Sequence, residues 1–267
     1  MTEDERERLR RTFTEAPELY DRARPGYPPA MYDDLAAAAP TGLGPDCRVL
    51  EIGCGTGQAT VPLAGRGCRV TAVELGAEMA RVARRNLAGY PDVDVVNAAF
   101  EQWPLPPEPF DVVLAATAFA WVDPAVRVPK SADALRPGGV LATVRTHHVA
   151  GGTEEFFAAA QGCYERFDPA TPPGLRLRPG SAVPEDRDDL RGEERFAAPV
   201  FHRYEWEAAY STAEYLDLLR TYSGHRALPA GARDALLACL AGLIDGRHGG
   251  RIAKRYLTEL RLVRRTG

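Results

Sequence analysis

A glycine-rich segment close to two acidic residues is the part of the sequence best suited to bind a ligand. It reads Val49-Leu-Glu-Ile-Gly-Cys-Gly-Thr-Gly-Gln58, with glycines at positions 53, 55 and 57 after a short apolar run. A glycine turn lets the backbone approach a ligand with no Cβ in the way. Glu51 stands two residues before the first glycine. A carboxylate there would repel a diphosphate and would suit a ligand that carries an ammonium group.

The glycine spacing also argues against one common class of nucleotide site. A dinucleotide-binding loop has the pattern G-x-G-x-x-G, and the position of its third glycine is occupied here by Gln58. Glu74 ends a second apolar run, where its two oxygens could accept hydrogen bonds from both hydroxyls of a ribose. Leu75 follows it and could pack on an adenine face. These residues disfavour a nicotinamide oxidoreductase and favour a cationic nucleoside.

Short apolar strands and helical segments must position these groups, and they alternate from residue 47 to residue 145. Strands are predicted over 48–52, 68–74, 93–97, 110–115 and 140–145, and helices from about residue 60, over 77–87 and over 124–135. This alternation predicts a parallel sheet with helices on both faces. Ligands of such sheets bind outside the carboxyl ends of the strands. That edge would collect Gly53 to Gly57, Glu74, Phe100, Glu101, Thr117 to Trp121, His147 and His148.

The pattern after Thr146 is less regular. It predicts a helix over 152–167, a Pro/Gly-rich loop over 168–184, a strand over 200–208, helices over 212–222 and 233–245, and a strand over 254–263 that pairs antiparallel with 200–208. Near the N-terminus, a short charged helix at residues 3–11 precedes a turn-rich segment at 20–29. The predicted organisation is therefore a helical lid segment (1–44), an α/β core (45–146), a helix with a loop insertion (147–198), and a C-terminal strand pair (199–267) of the same domain, with a helical cap at about 209–250.

Taken together, these motifs resemble the class I methyltransferases that depend on S-adenosylmethionine (SAM), in the small-molecule group that includes the ubiquinone-biosynthesis and trans-aconitate enzymes. The matching residues are Glu51 to Gly57, Glu74, Ala98 to Glu101, Phe110 to Val113 and Arg136 to Gly139. The resemblance implies a Rossmann-like α/β fold. Its seven-stranded sheet would be mostly parallel, with the last strand antiparallel, helices on both faces and an added helical cap. It also implies SAM as the cofactor, S-adenosylhomocysteine as the product, and a small metabolite or natural product as the acceptor.

The resemblance assigns the cofactor to residues of the lid, the glycine loop and the strand ends. They are Arg24, Tyr27, Glu51, Gly53, Cys54, Gly55, Thr56, Gly57, Glu74, Leu75, Ala99, Phe100, Glu101 and Thr117. Ala99 stands where the family often has an Asp that bonds the adenine amino group. Adenine recognition would then depend on the backbone near Phe100 and on ring packing, with Glu101 or Gln102 assisting.

Methyl transfer from a sulfonium needs a base only when the acceptor must lose a proton. The candidate bases are the imidazoles and phenols near the predicted cleft: Tyr20, Tyr27, His147, His148, Tyr222 and His225. His147 and His148 would point to opposite faces if their strand continues, so at most one would face the cleft. Phe119, Trp121, His147 and Tyr222 are the candidate acceptor contacts, although Phe119 and Trp121 would equally suit the core.

Composition excludes several other classes of protein. The chain has 267 residues, 45% of them hydrophobic, and a net charge of -4, which disfavours a nucleic-acid partner. No apolar run reaches the length of about 20 residues that spans a bilayer, and the charged N-terminus does not resemble a signal peptide. The five scattered cysteines disfavour a disulfide scaffold and a zinc site and favour a reduced, cytoplasmic location.

No cluster of acidic residues and histidines suggests a catalytic metal. Arg251 and Lys254 could meet an acidic substrate, although a solvated charged face is the expected position of both. We expect a monomer or a homodimer. One alternative function remains compatible with the motifs, a SAM-binding protein that uses the cofactor for regulation or for a reaction other than methyl transfer.

Overall fold

The computed structural model describes residues 16–185, 190 and 193–267. The helix predicted at residues 3–11 lies outside this range. The contacts divide the chain into two compact units. The large unit comprises Pro25–Thr146, Glu185–Tyr204 and Thr258–Gly267, and the small unit comprises His147–Pro184, Glu205–Leu257 and the described part of Met1–Arg24. These units divide the chain at different places from the predicted segments.

Seven strands form one sheet in the order β3-β2-β1-β4-β5-β7-β6. The strands are β1 (Arg48–Ile52), β2 (Arg69–Glu74), β3 (Val93–Asn97), β4 (Phe110–Ala116), β5 (Leu135–Gly152), β6 (Val200–Ser211) and β7 (Arg251–Arg264). The first five pair in parallel. β7 runs antiparallel to β5, since Arg265 and Gly138–Gly139 exchange backbone hydrogen bonds. The predicted mixed sheet is confirmed, although β5 is much longer than predicted and has residues in both units.

The large unit has a core on each face of its parallel strands. Every residue of β4 is buried, as expected of a central strand that reads as a continuous apolar run. Its helices are α2 (Pro29–Ala38), α3 (Thr60–Gly65), α4 (Ala77–Asn86) and α5 (Pro124–Ala134). Residues of α2, α3 and α4 pack in one core cluster and residues of α5 in the other. Pro62 lies in the first turn of α3, where a missing N–H breaks no helical hydrogen bond.

The small unit is mainly helical. Its helices are α1 (Pro17–Ala23), α6 (Glu154–Phe167), α7 (Thr212–Arg220), α8 (Ser223–Ala227) and α9 (Ala230–His248). Ser211 caps α7 through a reciprocal pair of hydrogen bonds with Glu214, a device that fixes a helix start. The helix predicted over 212–222 is confirmed and ends two residues earlier than predicted, at Arg220. Tyr222 is extended, so it breaks the helix, and Gly224 lies inside the separate helix α8.

One disulfide bond joins α6 to α9. It links Cys163 to Cys239, which are 76 residues apart in the sequence, whereas Cys47, Cys54 and Cys68 are free and buried. The expectation that the cysteines are reduced is therefore wrong for this pair. Partners so distant leave no spacing signal in the sequence. In the described part of the chain, no helix combines the length and the apolar character needed to cross a bilayer.

The disulfide predicts a thiol count and a stability effect. Thiol titration of the denatured, unreduced protein should give three reactive cysteines, and reduction should raise the count to five. Because the bridge restricts a long loop of the unfolded chain, its loss should lower the free energy of unfolding by about 2–4 kcal/mol, measured by urea denaturation. A C163S/C239S variant serves as the control, since reductant should not destabilise it further. Five reactive thiols without reduction would contradict the bridge.

Candidate functional site

The loop after β1 follows a backbone path that side chains would block. Gly53, Gly55 and Gly57 have φ angles of +68°, +60° and +101°, a region that glycine adopts without strain. A Cβ built on Gly53 would lie 2.7 Å from the Cβ of Ala118. The two residues follow β1 and β4, the neighbouring strands at which the strand order changes direction. Open α/β sheets bind their ligands at such a switch point.

Glu74, at the end of β2, holds this loop in place. One of its carboxylate oxygens accepts a hydrogen bond from the Gly55 N–H at 2.9 Å, and the other accepts from the Gly76 N–H at 2.8 Å. The side-chain amide of Asn97, at the end of β3, donates to the carbonyl oxygens of Glu74 and Leu75, both at 2.9 Å. The Leu75 side chain is 38% exposed. Three strand ends thus place a carboxylate beside an exposed apolar side chain.

Glu51 places a second carboxylate beneath the loop. It is 1% exposed, and the Thr60 hydroxyl donates to its Oε2 at 2.7 Å. Burial, together with the nearby charge of Glu74, raises the pKa of Glu51 to about 7, although the Thr60 hydrogen bond opposes the change. Both carboxylates also raise the pKa of the Cys54 thiol, whose main perturbation is burial. Glu51 and Glu74 therefore lie close enough together to affect the same thiol, and the sequence predicts this proximity.

Thr117, directly after β4, has a strained backbone. Its φ angle is +56°, which is unusual for a β-branched residue. Its hydroxyl oxygen lies 3.1 Å from the Tyr27 hydroxyl and donates to the Ala116 carbonyl at 2.7 Å. Strain of this kind concentrates at functional sites. Tyr27 and Thr117, both predicted to contact the cofactor, are thus brought together in the large unit.

The segment after β3 takes part in packing. Phe100 is 2% exposed and belongs to the core. A Glu101 carboxylate oxygen accepts from the Asp123 N–H at 3.2 Å, and its carbonyl accepts from the Lys130 ammonium at 3.1 Å. The Ala99 carbonyl closes the following turn. These contacts give the segment a structural role, and its contact with adenine stays a prediction.

Two other motifs of the resemblance lie at the opposite end of the strands. Asp111 and Arg136 form an ion pair at 2.5 Å, and the Arg48 N–H donates to the Asp111 carboxylate at 2.7 Å. A Cβ on Gly139 would lie 2.9 Å from the Arg136 carbonyl oxygen and 3.1 Å from that of Asp111. The Phe110–Val113 and Arg136–Gly139 motifs therefore join the starts of the strands and do not form the site.

Most candidate bases lie in the small unit. The His148 ring centroid is 5.3 Å from that of Tyr222. The Arg24 guanidinium lies 4.4 Å from the Tyr222 ring centroid and 5.0 Å from that of Tyr20. The Tyr164 hydroxyl is 3.0 Å from His225 Nε2. Arg24 is thus grouped with Tyr20 and Tyr222, and its contact with the cofactor stays a prediction.

The protonation states of these groups limit their chemistry. Burial, with nearby cations contributing, lowers the pKa of His148 well below its usual value. Burial and the charge of Lys254 lower the pKa of His225 to about 4, against a smaller opposite effect of Asp168. Burial raises the pKa of Tyr222 to about 12. At neutral pH both imidazoles are uncharged and the Tyr222 phenol is protonated, so Tyr222 is not a base.

Three further predicted residues have mixed outcomes. Phe119 is 5% exposed and packs in the core, which favours its structural interpretation over acceptor binding. Trp121 is half-buried. His147 is half-buried on β5, and strand alternation places it on the opposite face from His148, as predicted.

The burial of Lys254 contradicts the expectation that its side chain lies on a solvated face. Its side chain is 4% exposed, whereas Arg251 is exposed as expected. Burial lowers the pKa of Lys254 to about 7. The signal was present in the sequence, since period-two alternation along β7 places Lys254 on the same face as the buried Ile252 and Tyr256. No comparable pattern in the sequence indicates the hydrogen bonds of Thr60 and Asn97.

Comparisons with known proteins agree with this geometry. Residues 49–139 match a family described as a methyltransferase domain. An uncharacterized methyltransferase of Mycobacterium tuberculosis is 41% identical over 133 residues, which are 50% of this chain and 51% of that protein. The chain thus spans about half the length of this curated relative.

Solved structures show the same fold over more of the chain. A candidate type II methyltransferase from Anaeromyxobacter dehalogenans aligns with a TM-score of 0.58 and 26% identity, covering 90% of this chain and 97% of that one. A phosphoethanolamine N-methyltransferase from Haemonchus contortus, solved with S-adenosylhomocysteine, aligns with a TM-score of 0.54 and 15% identity. The alignment covers 98% of this chain and 60% of that one. These comparisons show that residues 49–139 match a methyltransferase domain and that the chain has the Rossmann-like fold of the class I SAM-dependent methyltransferases.

Proposed function

We propose that the protein transfers a methyl group from SAM to a small organic acceptor. The observation that carries the proposal is the pair of buried carboxylates, Glu51 and Glu74, at the glycine loop. A buried carboxylate is stable when a cation compensates it, and SAM is cationic. Bound SAM supplies an electrophilic methyl group on a sulfonium. The protein then has to align the acceptor and exclude water.

Each part of the cofactor has a suitable partner in the large unit. Glu51 is the partner for the ammonium group, and the Thr60 hydroxyl fixes the direction of its carboxylate. Glu74 would accept from the ribose hydroxyls, and the exposed Leu75 side chain offers an apolar surface for the adenine ring. The hydroxyls of Tyr27 and Thr117, which are hydrogen-bonded to each other, supply polar groups at the end of β4.

The protonation states narrow the choice of base where the acceptor must lose a proton. A neutral imidazole can accept a proton, so His148 and His225 remain candidates. Their lowered pKa values make them weak bases. Tyr222 stays a protonated phenol at neutral pH, so it can form hydrogen bonds but does not act as a base. These states favour an acceptor that is already a nucleophile near neutral pH.

A small acceptor is also supported by the charge of the chain. The net charge is -4, whereas binding to a nucleic-acid backbone depends on clustered cations. The alternative is a protein that binds SAM without transferring its methyl group. Incubation with methyl-labelled SAM and a fractionated metabolite extract distinguishes the two. Label in an organic product supports methyl transfer, and SAM that is bound but not consumed supports the alternative.

Substitution of Glu74 should weaken cofactor binding. Glu74→Gln keeps one oxygen for the Gly55 N–H and removes the charge that strengthens hydrogen bonds to a ribose. We expect S-adenosylhomocysteine binding, measured by calorimetry, to weaken by about 1–3 kcal/mol. Glu78→Gln is the matched control, because Glu78 is an exposed residue in the nearby helix α4 that pairs only with Arg81 among the described residues. An unchanged affinity in Glu74→Gln would contradict the proposed ribose contact.

Cofactor affinity should also depend on pH through Glu51. The pKa of Glu51 is about 7 without a ligand, and an ammonium group binds only its ionised form. Affinity for S-adenosylhomocysteine is therefore full above pH 7 and falls as the pH drops below 7, by about tenfold between pH 8 and pH 6. Calorimetry at the two pH values measures the change, and Glu51→Gln should abolish it. A pH-dependent affinity that persists in Glu51→Gln would assign the titration to another group.

A further inference from the structure

Lys254 is a buried cation that the methyltransferase site does not use. Its ammonium nitrogen lies 5.3, 5.7 and 5.5 Å from the ring centroids of Phe157, Tyr215 and Tyr256. Within the described residues, no carboxylate lies within ion-pair distance of it. Cation–π contacts replace part of the lost hydration. A buried charge without a counter-ion nevertheless destabilises a fold, and such groups are frequent at binding sites.

A second cation lies in the same unit. The Arg24 guanidinium stacks over the Tyr222 ring and donates to the Thr221 carbonyl at 3.0 Å. Its Nε is buried and has no hydrogen-bond partner among residues 16–185, 190 and 193–267. Arg24 also forms no ion pair in that part of the chain. The guanidinium therefore carries a buried donor that no described residue satisfies, a state that calls for an explanation.

His148 lies beside aromatic rings that contact the two cations, Tyr222 under Arg24 and Tyr256 under Lys254. Its side chain is exposed, yet surrounding protein lowers its pKa well below the usual value, and the charges of Lys254 and Arg24 add to that effect. Its ring centroid lies 5.3 Å from that of Tyr222 and 5.7 Å from that of Tyr256.

Further aromatic rings and protonated phenols lie near Lys254, Arg24 and His148. The Trp206 ring stacks on Tyr256 with centroids 4.6 Å apart and planes 21° apart. The hydroxyls of Tyr256 and Tyr210 lie 2.9 Å apart, and burial raises the pKa of both phenols. Aromatic surfaces and phenol hydroxyls therefore accompany the two cations in the small unit.

We propose that the small unit binds a planar organic anion, an aromatic carboxylate, against Lys254, Arg24, His148, Tyr222 and Tyr256. Two cations would compensate the carboxylate, and the rings would contact a flat body. A cationic ligand would be repelled, and a neutral ligand would leave both charges without a partner. The proposal concerns binding alone, so it stands or fails independently of methyl transfer.

The protonation of Lys254 gives the site a pH dependence. The groups around it are the neutral imidazoles of His148 and His225, the Arg24 guanidinium beside His148, and Asp168 beside His225. The pKa of Lys254 is about 7, and a bound anion favours its protonated form. Affinity for a carboxylate should therefore fall as the pH rises above 7, and binding at pH 8 should take up a proton.

The experiment is calorimetry of the full chain with 2-naphthoate, with the neutral 2-naphthamide as the matched ligand. We expect 2-naphthoate to bind at least tenfold more tightly than 2-naphthamide at pH 7. Titrations at pH 8 in two buffers of different ionisation enthalpy should show uptake of up to one proton. Quenching of tryptophan fluorescence, to which the stacked Trp206 contributes, gives a second measure of binding.

Two variants test the assignment to Lys254. Lys254→Met keeps the length of the side chain and removes the charge, so it should lose at least tenfold in 2-naphthoate affinity and lose the proton uptake. Arg255→Gln is the matched control, because Arg255 lies on the other face of β7 and pairs with Glu207 at 2.7 Å. It should bind 2-naphthoate as the original chain does. Removing a buried charge should not impair folding, and thermal denaturation of Lys254→Met verifies this.

Three outcomes would overturn the proposal. They are equal affinity for 2-naphthoate and 2-naphthamide, binding in Lys254→Met as tight as in the original chain, and no binding of 2-naphthoate at millimolar concentration. Because S-adenosylhomocysteine binding is measured on the same samples, failure of this site is distinguished from failure of the cofactor site.

Discussion

The large unit is organised around a carboxylate that the sheet does not allow to reach water. Glu51 lies in β1 between its neighbours Ala72 in β2 and Leu114 in β4, so its side chain cannot turn outward without breaking strand pairing. Raising a carboxyl pKa from 4.5 to about 7 corresponds to about 3 kcal/mol against the ionised form. That cost remains after the Thr60 hydroxyl has lowered the pKa, and a cationic ligand would offset it. The fold thus maintains a site that is strained electrostatically until a cation binds.

The small unit also retains a buried ionisable group whose charged form is disfavoured, in this case a cation. Lowering the pKa of Lys254 from 10.5 to about 7 corresponds to about 5 kcal/mol against the ammonium form. An apolar side chain of similar length would fit the same aromatic surroundings without that cost, as replacements of buried charges in other proteins show. The two units therefore each retain one buried charge that weakens the fold, a carboxylate in one and an ammonium group in the other. Retention of such groups is best explained by ligands of complementary charge.

The sequence predicts the parallel part of the fold well because local patterns determine it. The observed bounds of β1 and β3 match the prediction, and those of β2 and β4 differ by one residue, since buried strands read as short apolar runs between turns. The carboxylates and the glycine loop were found for the same reason. Contacts between distant residues could not be predicted, as with the Cys163–Cys239 bridge and the stacking of Arg24 on Tyr222. At Lys254 two signals conflict, because a charged residue type indicates exposure whereas strand alternation indicates burial beside Ile252 and Tyr256.

The strained Thr117 and the glycine at position 53 are two parts of one turn at the switch point. The positive φ of Thr117 directs the chain after β4 towards β1, and this brings Ala118 so close to Gly53 that no side chain fits there. Glycine at position 117 would relieve a strain of about 1–3 kcal/mol. It would also remove the hydroxyl that contacts Tyr27 and bonds the Ala116 carbonyl. The Thr117 backbone N–H, bonded to the Val144 carbonyl at 2.8 Å, also ties the turn to β5. Threonine at position 117 therefore costs backbone strain, and its hydroxyl holds the Tyr27 phenol in place. The strain has a purpose if the position of that phenol matters to a ligand.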